Sequence, residues 1–290
     1  YIRYLFYDAM LAALECSNTE LAFLNSFGAI VGVFLGLPGG WLADKFSAKK
    51  IVFWSVFANL PLCILSVMFA KVYTVQLIVW FGFCLTGGFA FWPAALKAVR
   101  LSAPPEKQES TFGIFEGVHG FSSMIGNFIA IGIFSMFADQ VAGWKGAMLS
   151  MGVFSAIGAF LMLFCYKEGS IVDAKEVEGE EAVKAAKRNV LKDTLVVAKN
   201  PGTWLVACVI IGAYGIYLAQ TYFTSYFTGV LGAAVVFSAA MSNLRSYGMK
   251  VIGGPIGGAI AAKLKSASLF NAICLVMALI APGTLDLYHS

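Results

Sequence analysis

Residues 39–50 read "GGWLADKFSAKK" and set Asp44, Lys45, Lys49 and Lys50 between two apolar runs. The run that follows, 51–70 ("IVFWSVFANLPLCILSVMFA"), carries no formal charge, and 146–166 ("GAMLSMGVFSAIGAFLMLFCY") repeats the pattern. About 20 apolar residues wound as helix cross a hydrocarbon core of about 30 Å, and in that solvent every backbone polar group needs an internal partner. Composition extends the point to the whole chain: 59% of its 290 residues are hydrophobic and 12% are charged, against about 25% charged in an ordinary soluble domain. The sequence therefore reads as an all-α, polytopic membrane helix bundle.

Apolar segments fall at roughly 1–14, 20–43, 51–70, 73–99, 111–137, 146–166, 203–229, 235–262 and 267–282. These are the expected spans, first to ninth. The chain opens inside an apolar segment with neither Met nor a charged leader. It is expected to be part of a longer protein, and its first run the remainder of a span rather than a signal peptide. Two joints carry helix punctuation: "SNTE" (17–20) reads as a capping box opening the second span, and "APPEKQES" (103–110) as a polar, proline-containing turn. Alternate loops differ sharply in charge. Residues 44–50, 97–107, 167–199 and 263–265 hold 15 of the 20 Lys and Arg, whereas the opposite loops hold Lys71 and Lys145. By the positive-inside rule the basic side is cytoplasmic, in a cell (plasma) membrane. Lys49 and Lys50 read as topology signals of this kind.

The longest hydrophilic stretch, within 167–202, carries mixed charges at helical spacing and reads as a solvated cytoplasmic linker with an amphipathic helix. It divides an N-terminal bundle, 1–166, from a partial C-terminal bundle, 203–290. A repeat crosses it. "GGWLADKF" (39–46) and "GGAIAAKL" (257–264) share Gly-Gly, an aliphatic residue, Ala and Lys at an offset of 218 positions. The second and eighth spans are thus equivalent members of two pseudo-symmetric six-span halves, the second half incomplete.

Polar residues inside spans show where the bundle is wet, because a charged group at mid-bilayer costs about 2.5–3.5 kcal/mol on insertion scales. In the fifth span Glu116, His119, Ser123 and Asn127 share one helix face. Asn243, Ser246, Tyr247 and Lys250 do so in the eighth, and Tyr214, Tyr217, Thr221, Ser225 and Thr228 in the seventh. The third, sixth and ninth show no such stripe. Spans one, five, seven and eight are expected to line a path, with three, six and nine facing lipid. The candidate solute contacts are Arg3, Tyr7, His119, Asn127, Tyr217, Thr221, Tyr247 and Lys250. Lys250, near mid-span, suits an anionic solute group or an internal ion pair, whereas Arg245, about 140° around the helix from it, snorkels, pairs structurally or binds solute. Glu116 and His119, three apart, suit proton coupling, or bond each other and stiffen the helix.

The charged knot resembles the signature between the second and third spans of the major facilitator superfamily, in Gly40, Asp44, Lys45, Lys49 and Lys50, with Ser47 where that signature has its second Gly. Asp44 sits at a helix C-terminus, where the macrodipole disfavours an anion, so it needs a cation; Lys97 and Arg100 share a face at the same end of the fourth span. The resemblance implies that Gly40, Asp44, Lys45, Lys97 and Arg100, with an eleventh span, latch a cytoplasmic gate. Gly32, Gly36 and Gly40 recur every four residues and permit close helix contact. The stretches 82–100, 112–120 and 143–152 are similar to the organophosphate:phosphate antiporters and their relatives, whose fifth-span histidine His119 matches. Their seventh-span arginine clamp has no counterpart in "IIGAYGIYLAQTYF" (210–223), and Gly36 stands at their second-span lysine. Without a bidentate clamp a sugar acid, sugar or other small organic anion is the expected solute.

The six Cys show no CxxC spacing and the chain has two His, so neither a metal nor a cofactor is implied. No nucleotide-binding or hydrolase motif is seen, nor a basic cluster interleaved with aromatics for nucleic acid. The expected protein is a monomeric secondary carrier in contact with lipid. It moves a small solute by alternating access, with protons or a counter-solute as partners. A carrier-like solute sensor and, more remotely, a polytopic membrane enzyme are the rival readings.

Overall fold

The computed structural model describes residues 5–166, 199–205, 207–208, 211–212 and 227–264. The ninth span, most of the seventh and nearly all of the linker lie outside the described residues. Every element among the described residues is helical, as a bundle in lipid requires. Among the described residues four segments, Ala48–Met68, Tyr73–Leu101, Gln108–Ser135 and Gln140–Cys165, are long and apolar enough to cross a membrane. The helix Asn18–Lys45 has 28 residues, about 42 Å at 1.5 Å per residue.

Local chemistry explains the boundaries. Ser17 caps the second span: its hydroxyl accepts from the Glu20 amide, and the Glu20 carboxylate accepts from the Ser17 amide at 2.8 Å. The anticipated capping box is therefore present. The "APPEKQES" turn becomes a 3-10 turn, Pro105–Lys107, that feeds the fifth span, Gln108–Ser135. Asp139 caps the sixth span, Gln140–Cys165, by accepting from the Val141 and Ala142 amides. The third span is one crossing but two helices, Ala48–Phe57 and Asn59–Met68. Pro61 lacks the N–H that would have bonded the Phe57 carbonyl, so the ladder is interrupted at that turn.

Two further spans contain a π-helical turn: Leu85–Phe91 in the fourth, before the helix Trp92–Leu101, and Leu244–Gly248 in the eighth, between the helices Val235–Asn243 and Met249–Leu264. Each π turn rotates the helix that follows it relative to the helix before.

Two cores hold the described bundle. At the end bearing the capping box, Phe6 stacks on Phe134 with ring centroids 4.1 Å apart, beside the fully buried Trp144, Met10, Leu21 and Leu24. Here the first span, Tyr7–Leu14, packs against the sixth. At the opposite end Ala43, Ile51, Val52, Ala94 and Ala95 form a smaller core joining spans two, three and four. Beside the first core Gln76, 1% exposed, is fully occupied: its amide N–H groups donate to the Ser66 and Phe69 carbonyls and its oxygen accepts from the Ser66 hydroxyl. That arrangement is what a polar side chain within a span demands.

The most extensive helix contact among the described residues joins the fifth and eighth spans. A Cβ on Gly113 would lie 2.6 Å from the Gly254 carbonyl oxygen and 2.8 Å from the Gly258 Cα. One on Gly117 would meet the Pro255 ring at 2.9 Å. These glycines let two backbones meet where side chains would hold them apart.

Candidate functional site

The seam between the fifth and eighth spans carries the charged groups. Gly120 stands one turn beyond Gly117, and a Cβ there would lie 2.7 Å from the Lys250 Cβ. The absent side chain brings the root of Lys250 against the fifth span, and the π turn Leu244–Gly248 just before it sets the rotation at which it arrives. The Lys250 ammonium donates to the Glu116 carboxylate at 3.3 Å. His119 Nδ1 lies 3.7 Å from the same carboxylate oxygen. Glu116 thus holds the centre of a three-member cluster, with Lys250 hydrogen-bonded to Oε2 and His119 Nδ1 facing the same oxygen beyond hydrogen-bond distance.

The surroundings are mixed. Side-chain exposures of 39% for Glu116, 31% for Lys250 and 23% for His119 place the cluster at the edge of an accessible space rather than in dry core. The His119 ring meets the Trp92 ring edge-on at 5.5 Å and stacks with Phe115 at 6.3 Å. Trp92 is the first residue after the π turn in the fourth span, so that turn aims an indole at the histidine. An ion pair with apolar walls on one side and access on the other is stronger than a surface pair and less costly than a buried one. It can exchange one partner for an incoming ion.

Further along the same two spans Asn127 donates to the Asn243 side-chain oxygen at 3.0 Å, and Asn243 donates to the Met124 carbonyl at 3.0 Å. Both asparagines are buried, at 2% and 1% exposure. The sequence put Asn127 among the solute contacts; in this arrangement its amide is instead taken up by the seam. Tyr7 also differs in placement: its hydroxyl donates to Asn18 at 2.7 Å, tying the first span to the opening turn of the second. Tyr247 is buried within the π turn of the eighth span. Arg3, Tyr217 and Thr221 lie outside the described residues.

At the charged knot, Lys97 is 8% exposed and donates to the Ala43 carbonyl at 3.1 Å. It places its cation at the negative end of the second-span helix, as the macrodipole favours. Lys45 stands over the Trp41 ring at 4.9 Å and 6.0 Å from the Phe46 ring. Arg100 occupies the last turn of its helix. The Asp44 side chain lies outside the description. A Cβ on Gly40 would meet nothing within 4 Å.

Sequence reasoning missed the Asn243 partner of Asn127 and the Trp92 wall. The signal for the first was present, since Gly113, Gly117 and Gly120 recur at helical spacing opposite the "GGPIGG" of 253–258. Two glycine stripes of that kind announce a close crossing. Trp92 depends on a π turn, for which periodicity offers no sign.

The family model of the Major Facilitator Superfamily matches residues 4–288. Among curated proteins, the chain is 26% identical over 283 residues to Inner membrane protein YqcE of Escherichia coli, covering 97% of this chain and 65% of that protein. It is 27% identical over 271 residues to Inner membrane protein YihN of the same organism, covering 91% and 62%. An uncharacterized MG294 homolog of Mycoplasma pneumoniae is 25% identical over 289 residues, covering 92% and 59%. The chain spans about three fifths of the length of these relatives.

Proposed function

The chain belongs to the major facilitator superfamily, and on that premise we propose that it works as a secondary transporter of a small organic anion by alternating access, coupled to protons. The single observation that carries this reading is the Lys250 to Glu116 contact at 3.3 Å across the fifth and eighth spans, with His119 Nδ1 3.7 Å from the same oxygen. Without solute, the Lys250 ammonium pairs with the Glu116 carboxylate. A solute carboxylate that takes Lys250 displaces Glu116, which then takes a proton in place of its lost partner. Release on the far side restores the pair and returns the proton. His119, in reach of the same oxygen, is the neighbour able to relay it. The Lys250 ammonium is a point charge without a bidentate fork, which suits a sugar acid or simple organic acid better than a phosphoester.

In this proposal residues 1–166 and 203–290 belong to two bundles that rock about the seam, with 167–202 as a cytoplasmic connector. Gly40, Asp44, Lys45, Lys97 and Arg100 form the gate at the connector's side. The protein is a multi-pass membrane protein, and the names of its two Escherichia coli relatives, both inner membrane proteins, support an inner-membrane location. Solute, lipid and protons are the partners, a counter-solute is an alternative to protons, and the working unit is a monomer.

The test is a thermal-shift screen of sugar acids, organic acids and sugar phosphates on the full-length protein, followed by flux of each stabilising compound into proteoliposomes. Saturable flux of an acid supports the transporter. Binding without flux points to a sensor, and chemical conversion without a gradient points to an enzyme.

A further inference from the structure

A continuous aromatic shelf stands on the third and sixth spans, away from the cluster at Glu116. In the third span Lys50, Phe53, Trp54 and Phe57 follow i, i+3, i+4, i+7 spacing and share one helix face. Phe160 of the sixth span meets Phe53 and Phe57 edge-on, each at 5.8 Å, and stacks with Phe164 at 6.5 Å. Trp54 is 65% exposed and Phe164 77%. In a membrane that surface lies against acyl chains.

Lys50 heads the shelf. It is exposed, in the first turn of the Ala48–Phe57 helix, and that turn contains no acidic residue. Lys45 is exposed in the same short connection and Lys49 is half-buried there. Among the described residues no carboxylate pairs with Lys50. Three lysines against the one acid of that connection, Asp44, leave it net positive where the third span leaves the hydrocarbon, one turn from rings that bind chains and not headgroups. The complement of such a surface is one molecule with an anionic head and an apolar body. A soluble anion has no use for the shelf, and a zwitterionic lipid brings its own cation against Lys50.

We propose that this face binds an anionic phospholipid of the adjoining leaflet, its phosphate on Lys50 and its acyl chains on Trp54, Phe57, Phe160 and Phe164. By the positive-inside rule that leaflet is the cytoplasmic one. The site is separate from the solute path and stands whether or not the chain transports an acid.

Native mass spectrometry of the full-length protein, titrated with phosphatidylglycerol or with phosphatidylcholine of identical chains, tests it. The expected result is tighter retention of phosphatidylglycerol, reduced about fivefold by Lys50→Gln, as one basic group at a membrane surface contributes. Lys50→Arg should hold the lipid, which keeps the test sound should the glutamine variant fold poorly. Trp54→Leu should weaken both lipids, because it shortens the shelf and leaves the charge. Lys71→Gln, which removes the partner of Glu15 in another loop, should change nothing. Equal retention of the two lipids, or a preference that Lys50→Gln leaves intact, would overturn the proposal.

Discussion

The second and eighth spans carry the same glycine pattern and use it differently. At the repeat offset of 218 positions Gly36 corresponds to Gly254, Gly40 to Gly258 and Asn25 to Asn243. In the eighth span those residues are pressed into the seam: Cβ atoms on Gly254 and Gly258 would each meet a carbonyl oxygen of the fifth span at 2.8 Å. In the second span Gly39 is pressed against the fourth span, where a Cβ would run into the Phe89 backbone, but Gly32 and Gly40 face open space. Asn25 donates to its own helix at the Leu21 carbonyl, 2.7 Å away, and accepts from the Trp80 indole of the fourth span at 3.5 Å, whereas Asn243 bonds Asn127 and Met124 of the fifth at 3.0 Å each. A glycine stripe therefore shows where a helix can be approached closely, and the neighbour decides whether it is. The same offset sets Gly32 opposite Lys250, so the charge that makes the candidate site belongs to one half alone.

The packed stripe offers the largest effect. Gly113→Val should destabilise the protein by about 2–3 kcal/mol or more, because its clashes are with backbone rather than with side chains that can swing aside. Thermal unfolding in detergent is the readout, and a variant as stable as wild type would break the contrast between the stripes. Lys250→Gln should weaken solute binding about tenfold or more, the cost of losing a charged hydrogen-bond partner, whereas Glu116→Gln, which frees Lys250 of its competing carboxylate, should bind solute no more weakly than wild type. Titration calorimetry with the solute found by screening measures that loss. Asn127→Leu should cost about 0.6–1.7 kcal/mol, the range for polar contacts between membrane helices. The same change in an Asn243→Leu background should add little, since the two amides share one bond. At the small end, Gly32→Ala should alter stability by less than about 0.5 kcal/mol; a larger loss would mean that the open face is packed.

Much of this architecture was legible in the sequence because lipid imposes simple rules. Apolar length located the third to sixth spans, and the Ser17 to Glu20 spacing foretold the cap that opens the second. The 3.6-residue period put Glu116 and His119 on one face, and the eighth-span stripe supplied Lys250. Periodicity tells which residues share a face but not which helix covers it. For that reason the sequence places Asn127 and Tyr7 on wet faces but does not show that Asn127 is buried against Asn243 or that Tyr7 bonds Asn18. The interruption at Ala58 was visible in Pro61, yet a proline in a span gives only the missing bond and not the helix's response. The π turns that orient Trp92 and Lys250 arise from packing between spans, and no local pattern encodes them.

The central claim is that the Glu116, His119 and Lys250 cluster couples proton and solute movement. Solute uptake by proteoliposomes of the full-length protein, with and without an imposed pH gradient, addresses it directly in wild type and in Glu116→Gln. Wild type should accumulate solute when the gradient is applied, and Glu116→Gln should lose that accumulation yet still exchange labelled for unlabelled solute. Wild-type uptake indifferent to the gradient, or a Glu116→Gln variant that still concentrates solute, would contradict the claim.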